Sequence, residues 1–230
     1  MKFRYRKNYF SDSKEKYDAI DDNDFDMISK FLPQLSNNPT ILDLGCGSCS
    51  VSERIRKIIP GSSIIGIDIC MPILQKSFEP CIQGDAAILP FKDGSFELII
   101  AAAAFHHFPN IVKTLSESYR CLGNGGILLA YEPNKYHPQR SVMMTSPLRH
   151  FFYKSGDHAI SPFSFKRQFK STGFDNIKYH YISFGYETAS KPARFNNIIH
   201  KRISSSRLKF LSVFTAPWFI ITGVKNHRRR

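Results

Sequence analysis

Residues 41–50, with the sequence ILDLGCGSCS, indicate the fold of this chain. They begin with an apolar run that is long enough for one buried strand, and Asp43 places a carboxylate near the end of that strand. Gly45 and Gly47 then allow the backbone to turn sharply and a ligand to approach without meeting a Cβ atom. A strand, a glycine loop and a helix in this order form the nucleotide-binding half of a doubly wound α/β fold.

The helix is predicted from the residues that follow the loop. Ser50 and Glu53 form the S-x-x-E pattern of a capping box, which predicts that a helix starts there. Val51, Ile55 and Ile58 repeat at helical spacing and predict an apolar stripe on that helix.

The spacing of the glycines limits the type of nucleotide. A dinucleotide loop reads G-x-G-x-x-G, and the third glycine position is Ser50 in this chain, which argues against NAD and FAD. A P-loop requires Gly-Lys-Ser/Thr, which the sequence lacks at this point. The pattern D-x-G-x-G, in which the acid lies inside the strand, instead fits a ligand that has an adenosine but no pyrophosphate.

The pattern D-x-G-x-G, with the acid inside the strand, resembles motif I of the class I S-adenosylmethionine-dependent methyltransferases. Cys49 stands where that family usually has its third glycine. Further motifs match in order: Asp68 ends a second apolar strand and Asp85 ends a third. FHHF at 105–108 matches the loop after the fourth strand, and LGNGG at 122–126 precedes the fifth.

The resemblance covers residues 41–132 and implies an α/β, Rossmann-like, doubly wound sheet of seven strands, mostly parallel with the last strand antiparallel. It also implies S-adenosylmethionine as the cofactor. The residues that it assigns to cofactor binding are Asp43, Gly45, Cys46, Gly47, Asp68, Ile69, Asp85, Ala86 and Ala101. No metal site is expected, because the Cys46-x-x-Cys49 pair has no second pair at the spacing of a zinc site.

His106 and Glu132 are the candidate catalytic residues. Methyl transfer is an in-line displacement at an activated sulfonium carbon, so the protein must position the acceptor and, for a hydroxyl, remove a proton. His106 lies in the loop that faces the transferred methyl in the family, and Glu132 ends the fifth strand over the same cleft. His107 is a second candidate for the base. A structural role in the loop stays open for all three.

Charge is distributed unevenly along the chain. Residues 1–134 contain 14 Lys/Arg and 16 Asp/Glu, whereas residues 135–230 contain 18 Lys/Arg and 3 Asp/Glu. The basic half predicts an anionic partner, which can be an anionic group on the substrate, a membrane surface in peripheral contact, or RNA. A merely solvated surface is the alternative.

The length of 230 residues fits one domain. We expect an N-terminal helical cap (1–38), a cofactor-binding core (39–132), and a substrate-side half (133–230) with a basic insert at 185–215. The five cysteines, an odd number placed within or beside predicted elements, indicate reduced thiols. No apolar segment follows the basic N-terminus, and we expect the protein in the cytoplasm, including peripherally at the inner membrane face.

Outside the motifs, the sequence predicts several further elements. They are helices over 21–35, from Pro109 to Gly123, near Met143–Tyr153 and from Ser161–Pro162 to Gly173, and strands at 177–181 and 217–224.

The main functional hypothesis is O- or C-methylation of a small or lipid-linked acceptor, because the resemblance is greatest to the branch with quinone, sterol and glycolipid methyltransferases. Residues 101–108 lack the N/D-P-P-Y/F motif of nucleic-acid amino methyltransferases. A tRNA-modifying methyltransferase remains an alternative, since wobble-uridine enzymes have a similar core. A non-catalytic adaptor with the same fold is a third hypothesis.

Overall fold

Seven strands form one sheet in the order β3-β2-β1-β4-β5-β7-β6. The computed structural model describes residues 20, 22–77, 79–138, 141, 160–182, 198, 200–207 and 209–226. The strands are β1 (Thr40–Leu44), β2 (Ser63–Asp68), β3 (Cys81–Gln83), β4 (Phe96–Ala102), β5 (Leu122–Pro133), β6 (Asp175–Ile182) and β7 (Trp218–Val224). Strand β7 is antiparallel to both of its neighbours, and the other pairs are parallel. The predicted fold class is confirmed.

Helices cover both faces of the sheet. The longer ones are α1 (Asp22–Ser29), α2 (Ser50–Ile58), α4 (Ile111–Cys121) and α5 (Pro162–Thr172), and α3 (Met71–Leu74) is a single turn. Short 3₁₀ segments span Phe105–His107 and Lys209–Leu211, a helical turn spans Ser212–Thr215, and residues 200–204 are also helical.

The alternation of side chains along the strands divides the core into two layers. Leu42 and Leu44 of β1 pack in one cluster with Leu115 of α4 and with Phe165 and Phe169 of α5. Ile41 points to the other face, where it packs with residues of α1 and α2. Asp43 alternates to the same face as Ile41, so its carboxylate is buried beneath α2.

Several helix ends differ from the sequence prediction. The cap of α2 is Cys49, which is left-handed with φ 62° and makes no side-chain cap bond, so Ser50 does not form a capping box. Glu53 instead binds the Lys57 ammonium at 2.7 Å. The side chain of α2 that was expected to complete the apolar stripe, Ile58, is half exposed.

The ends of α4 also differ. Asn110 caps this helix by accepting a bond from the Lys113 amide at 3.0 Å, so the helix begins after Pro109 rather than at it. Strand β5 starts directly at Leu122, which pairs with Phe96 of β4, and Gly123 is therefore a strand residue.

Other predicted elements agree with the structure. Ser161 caps α5 through its hydroxyl, and Gly173 ends the helix with φ 112°. The predicted helix over 21–35 is confirmed only for 22–29. The predicted helix near 143–153 lies outside the described residues, as do residues 1–19 and much of the basic insert. The division into cap, core and substrate-side half stays a prediction.

Candidate functional site

The glycine loop between β1 and α2 is held against the end of β2. The amides of Gly45 and Cys46 both donate to the carbonyl of Ile67, at 2.8 and 3.1 Å. Gly45 has φ +72°, and a Cβ on it would lie 2.8 Å from the Cβ of Ala104. A glycine is therefore required here both by the backbone conformation and by the close approach of the loop after β4.

Asp68, the last residue of β2, connects this loop to the next one. Its Oδ2 accepts from the Gly47 amide at 3.0 Å and its Oδ1 accepts from the Cys70 amide at 2.8 Å. Burial raises the pKa of the Asp68 carboxyl, and the backbone bonds oppose that effect. A carboxylate has about four lone-pair positions, so Asp68 keeps acceptor capacity for two hydroxyl groups of a ligand.

Asp43 is the most deeply buried of the three aspartates at the strand ends. Its Oδ2 accepts from the Ser52 hydroxyl of α2 at 2.7 Å. Burial raises the pKa of Asp43 to about 6, and the Ser52 bonds counteract part of that increase. A cationic ligand in the adjacent cleft would favour the ionised form of this carboxyl.

Asp85 follows β3, at the same edge of the sheet. Its Oδ1 accepts from the Ala87 amide at 2.8 Å, which fixes the carboxylate in a local turn. Gly84 before it packs so closely on Ile67 that a Cβ would come within 2.7 Å of the Ile67 Cδ1. Because Asp85 directly follows Gly84, this packing holds the Asp85 carboxylate close to β2.

These loops surround a cleft at the carboxyl edge of the parallel strands. Its volume is about 990 Å³ with the space of the open mouth included. Eight of the nine predicted cofactor residues line it: Asp43, Gly45, Cys46, Gly47, Asp68, Ile69, Asp85 and Ala86. The ninth, Ala101, is fully buried within β4 and is not part of the lining.

The wall beyond β4 is formed by residues that the sequence analysis did not assign to the cofactor. Ala102, Ala103 and Ala104 line the cleft, together with His107 and Phe108. Ala103 is left-handed with φ 53°, and its amide donates to the Tyr131 carbonyl at 2.7 Å. The run of four alanines at 101–104 was the feature of the sequence that could have indicated this wall, because small side chains let a ligand approach the backbone.

Glu132, at the end of β5, anchors the loop after β4. Its side chain is fully buried, and it accepts from the amides of Ala104, Phe105 and His106 at 2.9, 2.7 and 3.3 Å. Its Oε2 also lies 2.8 Å from the Nδ1 of His106. The structure therefore brings the two predicted catalytic residues together, with Glu132 in a positioning role.

His106 and His107 have different positions relative to the cleft. The His106 ring lies against the His107 ring, with centroids 3.9 Å apart. His107 lines the cleft, whereas His106 is bound to Glu132 and is not part of the lining. A hydrogen bond from Nδ1 to a carboxylate selects the tautomer in which Nε2 is the basic nitrogen of His106.

The described part of the chain contains no group of three His, Cys, Asp or Glu side chains placed to hold a metal ion. Within the same residues, no helix combines the length and apolar character needed to cross a bilayer.

Comparison with known proteins agrees with this geometry. Residues 42–130 match a family model described as a methyltransferase domain. The chain is 32% identical over 101 residues to a demethylmenaquinone methyltransferase of Thermus thermophilus. The matched family model and the methyltransferases among the relatives support a class I S-adenosylmethionine-dependent methyltransferase family for this chain. Its cofactor is accordingly S-adenosylmethionine.

Other methyltransferases match more of the chain at lower identity. A demethylmenaquinone methyltransferase of Lactiplantibacillus plantarum is 25% identical over 67% of this chain and 78% of its own length. The Thermus match covers 40% of this chain and 46% of that relative, so it spans about half the length of that protein. Phosphoethanolamine N-methyltransferase 2 of Haemonchus contortus, solved with S-adenosylhomocysteine, shares the fold with a TM-score of 0.65. It is 18% identical, over 88% of this chain and 52% of that one.

The cleft of this methyltransferase fits the cofactor chemically. Three carboxylates at successive strand ends, Asp43, Asp68 and Asp85, can accept from the amino and hydroxyl groups of S-adenosylmethionine. The apolar side chains of Ile69 and Ile73 line the same cleft and can contact an adenine ring.

Proposed function

We propose that this methyltransferase transfers a methyl group to an oxygen or carbon atom of a small or lipid-linked acceptor that carries an anionic group. The observation that carries the proposal is the His106–Glu132 pair, in which His106 belongs to a loop whose neighbouring residues Ala104 and His107 line the cleft with the three cofactor-type carboxylates. The quinone methyltransferases among the relatives support a small-molecule acceptor.

The cofactor supplies a methyl group that is already activated by the sulfonium charge. Asp68 and Asp85 would hold the polar groups of the nucleoside, and the glycine loop leaves room for the backbone to contact the ligand. The loop that contains His106 and His107 lies across the cleft from β2, where an acceptor would meet the methyl group.

His106 serves in this proposal as the base that removes a proton from the acceptor. Glu132 fixes its ring through Nδ1 and stabilises the imidazolium that forms when Nε2 takes the proton. Glu132 also holds three amides of the loop, so its replacement would displace the loop as well as the ring. His107 borders the cofactor cleft and is assigned a contact with ligand rather than the base.

The test uses S-adenosylmethionine with a radiolabelled methyl group and an extract of the cells that encode the protein. We expect label in the solvent-extractable lipid and small-molecule fraction. His106→Ala should reduce this transfer by about 100-fold or more while S-adenosylhomocysteine still binds, since general-base catalysis contributes factors of that size. His107→Ala should weaken cofactor binding more than it reduces turnover.

Two outcomes would contradict the proposal. Label that appears in the RNA fraction would favour the tRNA-modifying alternative. Cofactor binding without transfer to any fraction would favour the non-catalytic adaptor.

A further inference from the structure

An exposed cluster of aromatic side chains lies on the basic half of the protein. Phe163, Phe210 and Phe214 are 54, 66 and 49% exposed, and Tyr136 is packed between two of them. The Tyr136 ring centroid lies 5.7 Å from that of Phe163 and 6.2 Å from that of Phe214. Phe210 lies four positions before Phe214, in the 3₁₀ segment that adjoins its helical turn, and we call these four residues the aromatic platform. Exposed apolar clusters of this kind mark sites of interaction.

The platform is held in place by buried polar contacts. Asn134 is fully buried, and its side-chain amide donates to the carbonyls of Val213 and Ala216 at 2.6 and 2.8 Å, on either side of Phe214. The Asn134 Oδ1 accepts from the Tyr136 amide at 3.0 Å. One buried amide therefore fixes the backbone of two platform residues, and the exposed rings belong to an ordered surface.

Cations lie next to the platform in sequence and in space. Lys135 precedes Tyr136, Lys166 lies one turn after Phe163 on α5, and both are exposed. His200 binds the Thr215 hydroxyl at 2.9 Å, which attaches the helical residues 200–204 beside Phe214. That helical segment carries the exposed Lys201 and Arg202.

Acidic groups are almost absent from the same region. In the described part of residues 133–226, Asp175 is the only acidic side chain, and it lies at the start of β6. The start of β6 is at the opposite edge of the sheet from the platform, because β6 runs parallel to β5. Within the described residues of 133–226, the charge next to the platform is therefore positive.

The platform and the cofactor cleft occupy the same edge of the sheet. Tyr136 follows the carboxyl end of β5, Phe163 is in the first turn of α5, and Phe214 precedes β7, whose first residue pairs with Pro133. All three positions are at the edge where Glu132 and the loop after β4 border the cleft. A surface that met the platform would thus also meet the side of the protein that opens to the acceptor.

We propose that the aromatic platform and its cations dock the protein on an anionic phospholipid surface. Phenylalanine rings insert into the apolar boundary of a bilayer, and lysine and arginine bind the headgroups. The proposal rests on the proposed function in one respect, since a lipid-linked acceptor explains why the platform and the cleft share an edge.

The ring geometry favours a bilayer over RNA. The Tyr136 ring is tilted by 48° to Phe163 and by 66° to Phe214, so Tyr136 has no face parallel to either of these rings on which successive bases could stack. The three phenylalanines have no hydrogen-bonding atoms for base edges, whereas insertion into hydrocarbon requires none.

The experiment is sedimentation of the full chain with vesicles of phosphatidylcholine alone and of phosphatidylcholine with phosphatidylglycerol. Phe163→Ser/Phe214→Ser is compared with Ile88→Ser/Val112→Ser, which removes two equally exposed apolar side chains elsewhere. Lys201→Glu/Arg202→Glu is compared with Lys92→Glu/Lys113→Glu, which changes the net charge by the same amount at exposed positions outside the platform.

We expect binding to the anionic vesicles, with a loss of about tenfold or more in both platform variants and less than about twofold in both controls. Equal losses in platform and control variants would overturn the proposal, as would vesicle binding that no variant changes. Binding of single-stranded RNA that depends on the platform, without vesicle binding, would assign the surface to RNA instead.

Calorimetry with S-adenosylhomocysteine on the same four variants separates this proposal from the proposed function. Cofactor affinity that is unchanged in every variant places the effect on docking. A protein that binds vesicles through the platform but does not bind S-adenosylhomocysteine would retain the docking surface and contradict the proposed function.

Discussion

The cofactor cleft and the aromatic platform are built in opposite ways. At the cleft, carboxylates such as the partly buried Asp68 and the fully buried Glu132 accept from the backbone amides of the surrounding loops, and the functional groups converge on a concave space. At the platform, a buried neutral amide of Asn134 fixes the backbone, and the apolar rings and cations face outward. This difference is the one expected if the cleft holds a small polar ligand and if, as we propose, the platform meets an extended surface.

The largest effect is expected from Asp68→Ala. This change removes the carboxylate that holds the Gly47 and Cys70 amides and that is expected to accept from the ligand. Affinity for S-adenosylhomocysteine should fall about 100-fold, or about 3 kcal/mol, as expected for charge-assisted hydrogen bonds in a partly closed site. Calorimetry measures it, with Asp26→Ala on the exposed side of α1 as the control.

Vesicle binding by Asp68→Ala tests whether the cleft and the platform act independently. We expect this variant to bind vesicles as the wild type does. Loss of vesicle binding in this variant would show that the cleft and the platform are not independent.

The next effect is a pH dependence that arises from Asp43. The pKa of about 6 in the folded protein exceeds the value of about 3.9 in unfolded chains, so the protonated form is favoured by folding. Stability should therefore fall as pH rises from about 4 to about 7. Relative to Asp43→Asn, the wild type should lose on the order of 2–3 kcal/mol in this interval, since one pKa unit corresponds to about 1.4 kcal/mol.

Urea unfolding of the two proteins across that pH range measures this difference. Parallel stability profiles would show that Asp43 is ionised at no cost in the folded state.

The smallest expected effect is a difference in stability between alanine substitutions at two glycines with similar φ. It distinguishes the cost of close packing from the cost of backbone strain. Gly45 has φ +72° and contacts Ala104, whereas Gly125 has φ +79° and open space around its Cα. Gly125→Ala should cost about 1 kcal/mol from the left-handed conformation alone, and Gly45→Ala about 2 kcal/mol or more. Equal midpoints in urea unfolding would mean that the loop after β4 moves away at no cost.

The sequence predicted the part of the site formed by β1 and the glycine loop. In this part, ligand binding is expected to restrict both the backbone conformation and the type of residue at each position. Asp43, Gly45 and Gly47 lie in a strand and a loop whose spacing is set by the nucleoside, so all three line the cleft as expected. The cap of α5 was predictable for a similar reason, because Ser161 and Gly173 act through local geometry.

The remaining features depended on contacts between distant parts of the chain. Ser50 and Glu53 had the pattern of a capping box, but Glu53 binds Lys57, and the N-terminal position of α2 is occupied by Cys49. Glu132 was considered as a catalytic group, and only the fold shows that its carboxylate holds three amides of another loop. The platform joins residues up to 78 positions apart, from Tyr136 to Phe214, which no local pattern reveals.

The most direct test of the central claim is calorimetric titration of the wild-type protein with S-adenosylhomocysteine. The three carboxylates and the glycine loop predict one site per chain, with affinity that decreases when Asp68 is replaced by alanine. A titration without heat of binding, confirmed by the absence of a cofactor-dependent increase in thermal stability, would contradict the assignment of this cleft to S-adenosylmethionine.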